Sequence, residues 1–244
     1  MSVIALLSDI HGNRIALDRV YEDMRKFPID GIVLIGDLID YGMQSNEVVD
    51  FFIRENPYPV IANIWGNHER AIATGDFSGF SSARGVDCAK YTAGQLNEST
   101  KEYINKEMQK SGRSEFEADS FRCLAIHGSQ ADPYWKSITP SDLRGDYSSY
   151  DYVFSGHSHI PHWFTVFYDS DNAEYRNKKA TVFINPGAVG QPRNHTPLAQ
   201  YTILDMSTGE VMVRRIPYDT EQAMSLYSGK PVHQFYRDRL KNGV

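Results

Sequence analysis

The chain has 244 residues, with 25 Lys plus Arg against 31 Asp plus Glu and a net charge of −6. That acidic balance, free of any block of like charge, excludes the electrostatic footprint of a duplex nucleic acid or anionic membrane binder. The length suits one α/β domain able to bury roughly 70–75% of its unfolded surface, and no apolar run approaches the ~20 residues of a membrane span. Its two cysteines, Cys88 and Cys123, form no Cys-x-x-Cys pair, so they read as small core residues of a reducing, cytoplasmic setting.

The first apolar run, residues 3–7 (VIALL), leads into Ser8-Asp9-Ile10-His11. Ile15, Leu17, Val20, Tyr21, Met24 and Phe27 then recur at helical spacing until Pro28 stops them. Residues 32–35 (IVLI) lead into Gly36-Asp37, residues 46–55 read as a second helix, and residues 60–64 lead into Trp65-Gly66-Asn67-His68. Continuous Val/Ile/Leu runs suit strands buried on both faces, and their alternation with helices predicts βαβ units and an α/β fold.

From about 70 to 120 the chain turns polar, with helical candidates near 85–96 and 98–109 and no strong buried strand. The expectation is a helical cap inserted into a single domain spanning 1–244. Residues 123–126 then lead into His127-Gly128, and residues 152–154 into Ser155-Gly156-His157-Ser158-His159. Residues 163–168, 181–184, 201–205 and 210–216 predict a second sheet, with a charged hairpin tip between Asp169 and Lys179. The charged C-terminal segment, with His233, carries no functional signal.

In open α/β sheets, ligands gather outside the carboxyl ends of the strands. Each of the first five apolar runs ends in a metal-capable group: Asp9 and His11, Asp37, Asn67 with His68, His127, and His157 with His159. Side chains two apart on extended chain point the same way, so Asp9/His11 and His157/His159 can each present two groups to one cavity. Carboxylate, imidazole and amide oxygen together suit divalent Mn, Fe, Ni or Zn. Taken singly, a histidine is an ordinary satisfied polar residue and a Gly-Asp an ordinary turn. Five such ends in succession carry the signal.

The ordered set D-x-H, G-D-x-x-D, G-N-H-E, H-G and G-H-x-H resembles the calcineurin-like metallophosphoesterase superfamily. The run INPGAVGQPRN (184–194) and the opening DIHGN resemble its small bacterial and archaeal predicted-phosphodiesterase branch, over about residues 2–206. The resemblance implies an α/β fold in the form of a four-layer αββα sandwich with two divalent ions at the strand ends. Carried over residue by residue, it implies one ion on Asp9, His11, Asp37 and His159, and another on Asp37, Asn67, His127 and His157. Asp37 would bridge, since the two oxygens of a carboxylate can span metals about 3.5–4 Å apart. A bridging hydroxide is the implied nucleophile, and the metals make the pocket of an acidic chain attractive to phosphate.

His68 is implied to protonate or stabilise the leaving oxygen and Asp40 to orient it, with a turn or cap role as the alternative for Asp40. Asn13 could place a donor near phosphate or cap the first helix. Arg193 and His195 could reach the substrate or hold their loop. The phosphoprotein-phosphatase branch has an arginine after the second Asp of its GD motif and another before GNHE. This chain has Tyr41 and Trp65 there, rings that could stack on a base or pack in the core. Arginine is suited to bidentate capture of a phosphate dianion, so the reading favours phosphodiesters or nucleotide phosphoanhydrides, including diadenosine tetraphosphate-like dinucleotides. The expected partner is a small phosphorylated substrate. The alternatives are a phosphomonoesterase or serine/threonine protein phosphatase and, against the intact ligand set, a non-catalytic interaction scaffold.

Overall fold

A computed structural model describes residues 2–244. Strands β1 (Val3–Leu7), β2 (Gly31–Leu34) and β3 (Val60–Asn63) run parallel, connected by helices α1 (Arg14–Met24) and α2 (Ser45–Arg54). Strands β9 (Ala199–Asp205) and β10 (Glu210–Ile216) extend this sheet antiparallel, in the order β10-β9-β1-β2-β3. The second sheet holds β4 (Arg113–Ala118), β5 (Phe121–Ile126), β6 (Tyr152–Ser155), β7 (His162–Asp169) and β8 (Lys178–Asn185), ordered β4-β5-β6-β8-β7. Its three inner strands, β5, β6 and β8, are parallel and its outer two antiparallel. Two five-stranded sheets flanked by helices thus form the α/β sandwich that the apolar runs and the resemblance implied.

The continuous apolar runs are explained by burial on both faces. Ile4, Leu6, Val33 and Ile35 meet Cys123, Ala125, Phe154 and Ile184 between the sheets. The alternate residues Ala5, Leu7, Ile32 and Leu34 pack against Leu17, Val20, Met24 and Val48 of α1 and α2. Each such aliphatic side chain contributes about 1.5–3 kcal/mol on burial, so the parallel strands whose ends carry the site are the firmest part of the molecule. The outer face of the second sheet is covered differently: Ile138, Tyr147 and Tyr150, from irregular chain between β5 and β6, lie over Leu124, Ile126, Val153 and Phe183.

Between residues 67 and 106 the chain forms α3 (Asn67–Thr74), α4 (Ala83–Gln95) and α5 (Glu98–Lys106). Side-chain caps start the last two: Ser82 accepts from the Gly85 N–H and Asn97 from the Thr100 N–H. Tyr103 and Ile104 of α5 join the core outside the first sheet. The polar segment of about 70–120 also contains β4, a strand that the sequence reading did not anticipate. It is an edge strand with Glu115 and Glu117 exposed, and such edges tolerate charge that an inner strand would not. Helices α6 (Thr220–Ser225) and α7 (Gln234–Asn242) pack Ala223, Tyr236 and Leu240 against Tyr41 and Cys88.

Candidate metal centre and cavity

The ligands predicted at the strand ends do converge, but by a different geometry from the one expected. Asp9, His11, Asp37, His157 and His159 have φ of 53°, 48°, 55°, 63° and 57°. They therefore sit in left-handed turns, where the two-residue period of extended chain does not apply. Such a conformation costs a non-glycine residue about 1–2 kcal/mol. Interlocking backbone bonds hold it here: the Asp9 N–H donates to Gly36 O (3.1 Å) and the His11 N–H to Asp37 O (2.9 Å). The glycines beside the ligands permit the close packing. A Cβ on Gly66 would lie 2.1 Å from Asp37 Oδ1, and one on Gly36 would lie 2.5 Å from Gly66 N.

His159 Nε2 lies 3.2 Å from Asp9 Oδ1 and 3.3 Å from His11 Nε2, which in turn is 3.6 Å from Asp37 Oδ2. On the other side, His127 Nε2 lies 3.3 Å from Asp37 Oδ2 and 3.1 Å from Asn67 Oδ1, with His157 Nδ1 2.9 Å from the same amide oxygen. Ligand atoms of Asp9, His11, Asp37 and His159 fall within 4.8 Å of one another, as do those of Asp37, His127 and His157. Asp37 belongs to both groups: its Oδ2 lies 3.6 Å from His11 Nε2 and 3.3 Å from His127 Nε2, while its Oδ1 accepts the His68 N–H at 2.9 Å. Ser158, between the two histidines, turns away to Ile160 O and Asn185.

Backbone carbonyls set the imidazole tautomers. Nδ1 of His11 faces Ile39 O (3.1 Å), that of His127 faces Ile35 O (2.7 Å) and that of His159 faces Gln191 O (2.6 Å). A carbonyl only accepts, so each Nδ1 carries the hydrogen and each Nε2 turns a lone pair inward. Asp9 Oδ1 and Asp37 Oδ2 are buried and take no hydrogen bond. Unpaired anionic oxygens amid inward lone pairs call for cations, and this N/O donor set fits divalent ions.

Charge states agree with that assignment at every imidazole ligand but His127. Burial would raise the Asp37 carboxyl, but His127, His68 and His11 outweigh it and hold the group well below the usual range; Asp9 is held down by His159 in the same way. Burial pushes His11 and His159 down, and with His127 beside it pushes His157 down to about 3. Neutral imidazoles and ionised carboxylates are what metal ligation requires. His127 moves the other way, up to about 9, because the charge of Asp37 overcomes burial. A divalent ion at Asp37 answers the same demand for positive charge.

His68 opens α3 with its side chain facing the cavity. Its Nδ1 lies 2.7 Å from Asp40 Oδ2, while Asp40 Oδ1 accepts from Thr92 Oγ1 of α4 at 2.7 Å. Glu69, beside it, received no role in the sequence reading. Its Oε2 accepts from the N–H groups of Gly66 and Asp37 (both 2.8 Å), and its Oε1 from Leu38 (2.7 Å) and Ile39 (3.2 Å). Burial, and then Asp37, push its carboxyl up to about 7. The signal was available: Glu three residues after the N-cap Gly66 accepts from the Gly66 N–H, which is the half of a capping box that a glycine N-cap allows.

Above the ligands lies a cavity of about 310 Å³. Tyr41 walls it, with ring centroids 4.6 Å from His11, 4.4 Å from His68 and 4.5 Å from Tyr236. Trp65 takes the other course, buried in the core with its indole N–H on Ile104 O. Arg193 reaches the cavity. Asn13 does not: it caps α1 by accepting from Ala16 N, and its amide donates to Gly190 O, so both ends of its amide serve the fold. His195 is exposed, with its N–H on Gly243 O. The sequence reading missed Arg84, Phe80, Trp135, Phe235, Tyr236 and Arg239, which also line the cavity. No local pattern marks them, since they come from the turn before α4, an irregular loop, and α7.

Facing sheets with carboxylates and imidazoles gathered at their strand ends define a metallophosphoesterase architecture. The chain belongs to the calcineurin-like phosphoesterase superfamily, whose domain model matches residues 1–209. It is 26% identical over 253 residues to an uncharacterized protein of Methanocaldococcus jannaschii, covering 98% of this chain and 97% of that one. Its fold is similar to that of a metallophosphoesterase from Sphaerobacter thermophilus, at 24% identity and TM-score 0.75. A hypothetical protein from Pyrococcus horikoshii OT3 is similar at 17% identity and TM-score 0.79. Both likenesses cover 100% of this chain and 99% of the other, so the shared fold includes the segment beyond residue 209 that carries α7.

Proposed function

We propose that the protein hydrolyses phosphodiester or nucleotide phosphoanhydride bonds, diadenosine tetraphosphate-like dinucleotides among them, with two divalent metal ions. The observation that carries this is the pair of buried, unpartnered oxygens, Asp9 Oδ1 and Asp37 Oδ2, facing imidazole nitrogens at the floor of a polar cavity. Asp9, His11, Asp37 and His159 would hold one ion, and Asp37, Asn67, His127 and His157 the other. Mn, Fe, Ni or Zn suits these ligands, and such ions supply Lewis-acid charge and lower the pKa of water.

The chain's own groups do the rest. As water oxygen bonds to phosphorus and the P–O bond to the leaving group breaks, His68 Nε2 gives its hydrogen to the departing oxygen. Asp40 accepts from Nδ1 and, held by Thr92, keeps the ring aimed. Arg193 binds non-bridging phosphoryl oxygens. A cavity of about 310 Å³ suits a small ligand rather than a folded phosphoprotein surface. Two free, buried cysteines and the lack of any described helix apolar enough to cross a membrane support work in the cytoplasm.

One observation favours a phosphomonoesterase as the second reading: Arg84, Arg193 and Arg239 line the cavity, so guanidiniums suited to a phosphate dianion are present although positions 41 and 65 carry none. A panel with added Mn separates the two. The protein should carry about two transition metals per chain and turn over bis-p-nitrophenyl phosphate or dinucleoside polyphosphates faster than p-nitrophenyl phosphate, mononucleotides or a phosphopeptide. Faster monoester turnover moves the assignment to the second reading. A metal-free protein insensitive to Mn removes both.

A further inference from the structure

We propose that Arg84, Arg193 and Arg239 form a second anion subsite beside the metal centre, built for the additional phosphoryl groups of an oligophosphate chain. The inference rests on the phosphoesterase reading of the adjoining centre and narrows its substrate to phosphoanhydrides.

The three arginines come from three distant segments, the start of α4, the loop after β8, and α7, yet line one cavity with Asp37, His157 and His159. Many other arginines sit in ion pairs: Arg14 with Asp18 and Glu55, Arg122 with Glu115, Arg214 with Asp23, and Arg237, two residues from Arg239, with Asp238, while the exposed Arg25, Arg176 and Arg215 and the ring-stacked Arg70 form none among the described residues. Acidic residues outnumber basic ones 31 to 25, so partners are plentiful. Among the described residues no aspartate or glutamate pairs with the three cavity arginines. Their neighbours are rings, one another and, for Arg239, an oxygen of Val244. Arg84 lies 4.1 Å and Arg239 4.7 Å from the Phe235 centroid. Burial, and then Arg193, press on the charge of Arg239, with Arg84 adding to the repulsion. Arg193 Nε is buried without an acceptor, while Arg239 Nε donates to Val244 O.

Bringing like charges together costs free energy that a bound anion offsets, and each guanidinium brings up to five donors arranged for phosphate. A simple diester carries one negative charge, which the metal centre meets by itself. It leaves Arg84 and Arg239 without an anionic side-chain partner, and Arg193 with donors to spare. An oligophosphate lays one phosphoryl group on the centre and the next against the arginines. Phe80 and Trp135, with ring centroids 5.2 Å apart, offer apolar wall beyond them. The chain could be inorganic or carried on a nucleoside; the chemistry recognised is the same.

The test uses Mn-saturated protein and two variants on different helices, Arg84→Gln and Arg239→Gln, each checked for an unchanged melting temperature so that misfolding of one leaves the other decisive. By titration calorimetry with Mn in excess, tripolyphosphate should bind wild type at least about tenfold more tightly than orthophosphate. Each variant should lose about tenfold more affinity for tripolyphosphate than for orthophosphate, and its KM for a dinucleoside tetraphosphate should rise correspondingly more than that for bis-p-nitrophenyl phosphate. Equal affinities in wild type, or equal losses for both ligands in the variants, overturn the subsite. If wild type hydrolyses no ester in the panel, the phosphoesterase reading fails while the binding arm still decides the subsite. A nucleoside triphosphate binding more tightly than tripolyphosphate assigns the chain to a nucleotide, and equal binding assigns it to inorganic polyphosphate.

Discussion

On the cavity floor, Asp9, His11, Asp37 and His127 are fully buried, come from strand ends, and stand in turns locked by backbone hydrogen bonds. On the rim, Arg84, Arg193 and Arg239 come from a helix start, a loop and a C-terminal helix, and pair with no aspartate or glutamate among the described residues. The floor stores its strain in left-handed aspartates and histidines and offers one arrangement whatever ester arrives. The rim holds guanidinium donors that no acidic side chain takes up and that an anionic ligand can engage. Reaction chemistry needs positions fixed to a fraction of an ångström, while selectivity needs unspent hydrogen-bonding capacity. One cavity separates the two tasks by depth.

The sharpest way to break that division is His68, which belongs to the floor by burial and faces the rim. Its side chain is absent from both ligand groups, and the bond that steadies Asp37 comes from its backbone N–H. His68→Gln should therefore keep the metal content of wild type while kcat for substrates with poor leaving groups falls about 10²–10⁴-fold, the usual contribution of general acid catalysis. Esters with good leaving groups should lose much less. Metal analysis beside a leaving-group series checks this. Metal loss in proportion to rate would make His68 a structural part of the floor.

A smaller effect is expected at Glu69, which touches no ligand through its side chain except the Asp37 N–H. Glu69→Gln replaces an acceptor oxygen by an NH₂ group that must face backbone N–H groups, loosening the turn that aims Asp37. Such outer supports change metal affinity by about 10–100-fold, here with a lower melting temperature and restoration of activity by excess Mn. Metal titration followed by thermal melts reads both. If excess Mn restores nothing, Glu69 acts on the reaction itself rather than through the turn.

The floor was legible in the sequence because each ligand lies within a few residues of an apolar run, so strand and ligand are read in one window. Even there the reading reached Asp9 with His11, and His157 with His159, through the period of extended chain, whereas left-handed turns bring them together. The His68 N–H on Asp37 Oδ1 is a contact across 31 positions that no local pattern records. The inner strands declared themselves by continuous Val/Ile/Leu, while RSEFEA of β4 read as polar because an edge strand leaves its glutamates in water. The rim was illegible for a related reason. Arg239 sits in a charged helix that looks solvated, and only tertiary packing of α7 near Tyr41 turns it toward the cavity.

A control remote from both regions completes the comparison. Asp23 of α1 accepts from Arg214 of β10 at 2.9 and 3.0 Å, from Tyr201 OH of β9 at 2.9 Å and from Lys26 at 2.9 Å, tying α1 to the antiparallel edge of the first sheet. Burial would raise its carboxyl, but Arg214, Lys26 and Tyr201 reverse this and hold it at about 2, below the ordinary 3.8. The folded state thus favours the ionised form. Its contribution, about 2 kcal/mol from the size of the shift, is fully present above pH 3.8 and is lost as pH falls through 2. Asp23→Asn should be less stable than wild type by that amount near neutrality, with the gap closing in acid, and its kcat and metal content should not change. Urea unfolding across the acid range, beside turnover at neutral pH, measures both. A change in turnover would mean that the edge of the first sheet communicates with the strand ends, and then neither floor nor rim could be treated as independent of the frame that carries them.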